Sequence, residues 1–220
     1  VLLFFLPLLI ARYSLQRYND LRTVYLSTIS ALVRALEQKD PYTQGHSHRV
    51  KEYALAIAKE MQLPADQLER LEYVALLHDV GKIGIRDTIW LKAGRLDQAE
   101  YEEIKRHPVV GAEIIGQIEL LGRDVEIVRS HHEWFDGSGY PDHKAGSDIP
   151  TGARILAVAD AFDAMTTERP YKPAYGYAEA LEELNRFSGR QFDPEAVRAF
   201  MTAVKEVIRV TPPAGAQKAV

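Results

Sequence analysis

Seven side chains spread along the chain are of types that bind metal together: His46, His78, Asp79, His107, His131, His132 and Asp160. His78 continues the three-and-four spacing of Leu68, Leu71 and Ala75 into the interior of a predicted helix. Asp79 follows the apolar run Val74-Ala75-Leu76-Leu77. A carboxylate there must be paired or bound to metal, because an isolated buried charge is very costly. Alone, His78 and Asp79 read first as a structural hydrogen bond. His131 and His132 extend the face of Ile127 and Val128, and neighbours on a helix point about 100° apart, which suits two adjacent ions better than one. His107 stands at a helix junction before Pro108, and His46 in the first turn of a helix opened by Gly45.

Five imidazoles and two carboxylates, in a chain with no cysteine, form a nitrogen and oxygen set suited to iron, manganese or zinc-like ions rather than calcium. Seven ligands exceed what one ion with open positions needs. Two divalent ions with Asp79 between them is the economical account, and such a pair can stabilise both the attacking and the leaving oxygen of a phosphodiester. Lys82, Arg169 and Lys172 add cations that neutralise charge growing on a phosphate. Asp163, three residues beyond Asp160 on the same side of its helix, is grouped with these substrate-binding residues. Asp79 and Lys82 are the catalytic candidates.

These residues need helices to position them, and the pattern predicts an all-α fold without a strand ladder. A long helix is expected over 12–39, in which Tyr18, Leu21, Tyr25, Thr28, Leu32 and Ala35 carry the spacing of a coiled-coil seam. That seam fits a homodimer or signalling linker, and equally a helix lying on the domain. Asp40-Pro41 stops it. Val50, Ala54, Ile57, Ala58 and Met61 define the next helix, and Asp97 with Glu100 forms a capping box before a shorter one. Gly137, Gly139 and Pro141 exclude regular structure from the segment after His132. Two further helices, about 177–187 and 193–210, precede a loose tail at 211–220.

The chain has 220 residues, 46% of them hydrophobic, and a formal net charge of −4. That charge gives no reason to expect a nucleic-acid polymer as partner. Residues 1–11 open with the apolar run VLLFFLPLLI, shorter than the roughly 20 residues that cross a bilayer. They read as the end of a transmembrane helix, or alternatively as an amphipathic core helix. Arg12 and Arg17 place the remainder of the chain on the cytoplasmic side of an inner membrane. A membrane or sensor region upstream is expected.

Five ordered blocks carry a family resemblance: GHSHRV at 45–50, HDVGKIGI at 78–85, RHPVVGAEII at 106–115, HHEWFDGSGYP at 131–141, and IPTGARILAVADAFDAMTTERPYK at 149–172. Over roughly 42–200 the chain resembles the HD-GYP subgroup of the HD phosphohydrolase superfamily. The resemblance implies a helical HD bundle over 40–210 with extra C-terminal helices. It also implies hydrolysis of cyclic di-GMP to the linear dinucleotide pGpG, GMP or both. By the same resemblance the seven residues are the metal ligands, Lys82 meets the scissile phosphate, Arg169 and Lys172 hold nucleotide phosphates, and Gly139-Tyr140-Pro141 shapes the substrate pocket.

Members with a third metal carry a glutamate where this chain has Tyr42, so two metals are expected. The family continues its signature turn with Gly-Leu, where His143-Lys144 stands here. His48 and His143 are expected on the surface. Hydrolysis of another cyclic dinucleotide or nucleotide, and nucleotide binding without catalysis, are the competing readings.

Overall fold

The structure is a computed structural model. It describes residues 2–38, 44–90, 92, 94–168 and 173–210, with side chains from 5 up to 204 within them. The regular elements among the described residues are helices, in the order α1 (Leu2–Glu37), α2 (His46–Glu60), α3 (Ala65–Leu77), α4 (Asp87–Trp90), α5 (Gln98–Ile104), α6 (His107–Ile115), α7 (Val125–Arg129), α8 (Thr151–Thr166), α9 (Tyr177–Arg186) and α10 (Pro194–Val210). A 3-10 turn, Val80–Gly84, leads out of α3. The one bridge of β type among them is isolated, between Ser188 and Phe192.

The core forms around α2, which packs against α3, α8 and α10. Val50, Tyr53, Ala54, Ile57 and Ala58 recur at helical spacing and are completely buried. Tyr53 meets Phe162 of α8 edge-on at 5.2 Å and Phe200 of α10 at 6.0 Å, and the two phenylalanines lie 4.7 Å apart. Each such ring contributes roughly 1.5–3 kcal/mol through burial, so this trio locks the three helices together at the middle of α2.

Helix α1 lies on the domain with a different stripe from the seam seen in the sequence. Arg22, Leu26, Ile29 and Val33 turn inward, and Arg22 pairs with Glu69 at 3.2 Å and with Glu72. Tyr18, Leu21, Tyr25 and Leu32 are 51–63% exposed, although the Tyr18 hydroxyl reaches Glu69 at 2.6 Å. Both stripes have heptad spacing one position apart, and the charged anchors on α3 select the inner one. No helix among the described residues is long and apolar enough to cross a membrane.

The capping box of α5 is present, with the Glu100 amide donating to Asp97 Oδ1 at 2.9 Å and the Asp97 amide to Glu100 Oε2 at 2.8 Å. α7 is shorter than its apolar pattern predicts. It ends at Arg129, so His131 and His132 sit in the next turn of chain and not on a helix. Tyr42, Arg169, Lys172 and the tail 211–220 lie outside the described residues.

Candidate metal centre

Helix ends, rather than helix faces, deliver most of the candidate ligands. His78 follows the last residue of α3, His107 opens α6, and His131 sits two residues beyond α7. Each ring turns back on its own segment: Nδ1 donates to the carbonyl three residues upstream, at 2.7 Å to Ala75, 2.8 Å to Ile104 and 2.6 Å to Val128. A carbonyl oxygen only accepts, so in the neutral ring the proton is on Nδ1 and the Nε2 lone pair points inward. Such a bond on the far nitrogen is how proteins orient metal-binding histidines.

Two groups of three ligand atoms result, each with its atoms within 4.8 Å of one another: His46, His78 and Asp160, and His107, His131 and His132. Asp79 stands between them. Its Oδ2 lies 3.7 Å from His46 Nε2 and 3.4 Å from His78 Nε2, while its Oδ1 lies 3.4 Å from His107 Nε2. The seven residues named from the sequence therefore converge, and one carboxylate faces both groups.

The donors fit divalent cations. His78 Nε2 is buried without a hydrogen-bond partner among the described residues. His107 and His131 point their Nε2 atoms at each other across 3.3 Å. A positive ion in each group would satisfy these atoms, whereas a packed apolar core satisfies none.

Electrostatics separate the two groups. Burial opposes charge on His46, but Asp160 at 3.3 Å and Asp163 at 2.7 Å outweigh it and raise its pKa to about 9. Burial, with other histidines nearby, lowers His107 to about 3 and holds His131 well below the usual range. Burial likewise brings His132 down to about 4, against the pull of Asp160 and Asp79. For Asp79 burial would favour the neutral acid, yet Lys82 and the surrounding histidines keep it ionised well below the ordinary carboxylate range.

Lys82 pairs directly with Asp79, and its ammonium group lies over the Trp90 ring, 4.7 Å from the centroid. The turn carrying Lys82 presses on α6 so closely that a β-carbon on Gly81 would sit 2.0 Å from the His107 carbonyl oxygen. Only glycine fits there.

Asp163 corrects the sequence reading. It is 1% exposed and sits behind His46, where its Oδ2 accepts from Nδ1 and its two oxygens take the Arg49 fork at 2.6 Å and 3.0 Å. It orients His46, a candidate ligand, and is not among the residues that line the adjacent cavity. Arg49 was missed because its partner is far away in sequence.

The Gly139-Tyr140-Pro141 turn folds back onto the centre. Gly139 abuts the backbone of Glu133 and Trp134 with no room for a side chain, and Tyr140 stacks on His132 at 5.0 Å and 28°. The turn supports a histidine, while the adjacent cavity, about 410 Å3, has His131, His132, Asp160, Trp134, Met165 and Phe187 among its walls. A volume of that order suits a nucleotide-sized ligand. His143 is exposed with φ 58°, and Lys144 and Arg129 tie its loop to α7 through Glu126 and Asp142. His48 is half-buried rather than on the surface, its Nε2 enclosed without a hydrogen-bond partner among the described residues.

The sequence profile of the HD domain matches residues 30–196. The chain belongs to the HD domain family. Among curated HD relatives it is 40% identical over 185 residues to the cyclic di-GMP phosphodiesterase response regulator RpfG of Xanthomonas campestris, covering 83% of this chain and 49% of that protein. It is 35% identical to the 3'3'-cGAMP-specific phosphodiesterase 2 of Vibrio cholerae, covering 87% of this chain and 37% of that protein. The chain thus spans about half or less of the length of these relatives. The crystal structure of a cyclic GMP-AMP-specific phosphodiesterase from Vibrio cholerae shares the HD fold, with a TM-score of 0.66 at 20% identity over 87% of this chain and 54% of that one.

Proposed function

We propose that this chain is a metal-dependent phosphodiesterase that opens cyclic di-GMP, yielding pGpG, GMP or both. The observation that carries the reading is Asp79, whose two oxygens face two separate three-ligand groups beside the Lys82 ammonium. The groups would hold two divalent ions, His46, His78 and Asp160 one and His107, His131 and His132 the other, with Asp79 shared. Nitrogen and carboxylate donors without thiolate favour iron or manganese. When bound, such ions supply Lewis acidity to a phosphodiester and to water at neutral pH.

The protein's own groups do the positioning. The Lys82 side chain is held between Asp79 and the Trp90 face, placed to neutralise a phosphate oxygen. Asp163 and Arg49 fix the His46 ring, and Tyr140 backs His132. The cavity walls Trp134 and Phe187 offer apolar surface to a nucleobase. Arg169 and Lys172 would hold the second phosphate.

The exposed stripe Tyr18, Leu21, Tyr25 and Leu32 supports pairing of α1 with a second copy of the chain. The exposed apolar residues Phe5 to Ile10, followed by Arg12 and Arg17, support attachment to an inner membrane with the domain on the cytoplasmic side and a sensor region beyond. Sedimentation equilibrium tests the first of these, and fractionation of cells expressing the chain the second.

The relatives include enzymes named for 3'3'-cGAMP, which makes another cyclic dinucleotide the second reading. Anaerobic turnover of cyclic di-GMP and 3'3'-cGAMP by chain loaded with Fe(II) or Mn(II), with products resolved by chromatography, separates them. Conversion of cyclic di-GMP in preference supports the proposal. Faster conversion of 3'3'-cGAMP moves the assignment to the second reading, and binding without turnover of either supports a signalling module.

A further inference from the structure

The amino-terminal end of α2 carries His46, yet it has no cap of its own. Gly45 occupies the capping position, in a left-handed conformation at φ 73°, and has no side chain to offer. The free amides of a helix start need an acceptor, and an anion serves best because the helix dipole is positive there. That anion comes from another helix. Glu37, the last residue of α1, is 6% exposed, and its carboxylate accepts from the Gly45 amide at 2.9 Å through Oε2 and from the Ser47 amide at 3.0 Å through Oε1. The two bonds flank His46 on either side. α1 is in turn fastened to the domain by Val33, 4% exposed, and by the Arg22 and Tyr18 contacts with Glu69.

We propose that Glu37 is a positioning residue for the metal centre: it ties the docked position of α1 to the first turn of α2 and so to the His46 ring. Asp163 sets the orientation of that ring from α8, and Glu37 sets the place of the backbone that carries it. The first metal group thereby depends on a helix that contributes no ligand. This inference rests on His46 serving as a metal ligand.

Glu37→Ala and Glu37→Gln, compared with Val33→Ala, test it. Val33→Ala loosens the packing of α1 but leaves the carboxylate in place. Calorimetric titration of the metal-free chain with Mn(II) is expected to show two equivalents for the native sequence. In Glu37→Ala one of the two should weaken about 10-fold or more, the usual effect of removing a group that orients a ligand. Glu37→Gln, which keeps one acceptor oxygen, should fall between, and Val33→Ala should keep both affinities. Hydrogen exchange at the Gly45 and Ser47 amides should accelerate in Glu37→Ala.

Unchanged Mn(II) affinities in Glu37→Ala would overturn the inference while leaving the metal reading intact. So would an equal loss in Val33→Ala, because the effect would then be one of general packing. Unchanged exchange at the two amides would show that the tie does not exist in solution. Failure of the native chain to bind Mn(II) at all would overturn the metal reading and this inference with it.

Discussion

His107 and His131 face each other through Nε2 atoms 3.3 Å apart, although each ring has committed its Nδ1 proton to a backbone carbonyl. Two lone pairs directed at one another repel, and a cation between them reverses the sign of the interaction. The folded chain should therefore bind divalent ions far better than the unfolded one. Stripping with a chelator and restoring Mn(II) to a hundredfold excess over Kd should stabilise the protein by about 2.7 kcal/mol, read as a rise in Tm. An unchanged Tm would contradict the site.

Metal uptake should release a proton. In the metal-free protein at neutral pH His46, at about 9, is protonated, whereas His107 and His132, at about 3 and about 4, are not. A metal needs the neutral imidazole, so affinity should rise with pH up to about 9. Calorimetry in buffers of different ionisation enthalpy measures the proton count, and a count of zero at pH 7 would refute the assignment.

The same values shape the stability of the metal-free chain. His46 is raised above its ordinary value of 6.5, so its contribution is full below 6.5 and is lost as pH rises through about 9. His107 and His132 act in the opposite direction. Below 6.5 the unfolded chain takes up protons that these buried rings refuse, and stability falls toward acid. Denaturant midpoints against pH should show a maximum between the two limbs.

Asp163→Asn should behave as a defect of ligand support. It leaves one acceptor oxygen for both His46 Nδ1 and the Arg49 fork, turns an NH2 donor on the other, and leaves the Arg49 guanidinium buried without its counter-charge, a loss of about 3–5 kcal/mol. Mn(II) affinity should fall roughly 10–100-fold. If the variant instead kept its metal and changed only KM for a nucleotide, Asp163 would be a substrate contact after all.

Gly81→Ala should be poorly tolerated. The added methyl group meets the His107 carbonyl oxygen, so the turn bearing Asp79 and Lys82 must move away from α6. Overpacking of this kind costs typically 1–3 kcal/mol, and it should also reduce metal content. A native denaturant midpoint would show that the two segments are not in contact in solution.

His143→Gly should do the reverse. A residue with a β-carbon at φ 58° is disfavoured by about 1–2 kcal/mol, part of which glycine returns through its freer unfolded state. A net gain of up to about 1 kcal/mol in chemical denaturation is expected, and a loss would mean that the His143 ring makes a stabilising contact.

The seven candidate side chains could be picked out from local pattern because His78 continues an apolar stripe, His46 and His107 stand at helix starts, and His131 and His132 follow an apolar run. The helical order followed from proline, glycine and the capping box at 97–100. What escaped were relations between distant segments. Asp163 and Asp160 share a helix, and nothing in their spacing says that Asp160 joins His46 and His78 in a candidate metal group while Asp163 turns to Arg49, which is 114 residues away. The inner stripe of α1 was missed for a similar reason: both stripes have the same period, and only Glu69 and Glu72 on α3 choose between them. Glu37 looks like an ordinary helix-terminal acid until the amides of Gly45 and Ser47 are placed beside it.

His78, His107 and His131 are each braced by a carbonyl three residues behind. Their aim is therefore set within a single turn of chain, before any helix meets another, and little rotamer entropy is left to lose when the segments assemble. His46 has no such local brace; its ring waits for α8. As the protein loosens, three rings should keep their heading while the fourth drifts, so partial unfolding would dismantle the centre from the His46 side first.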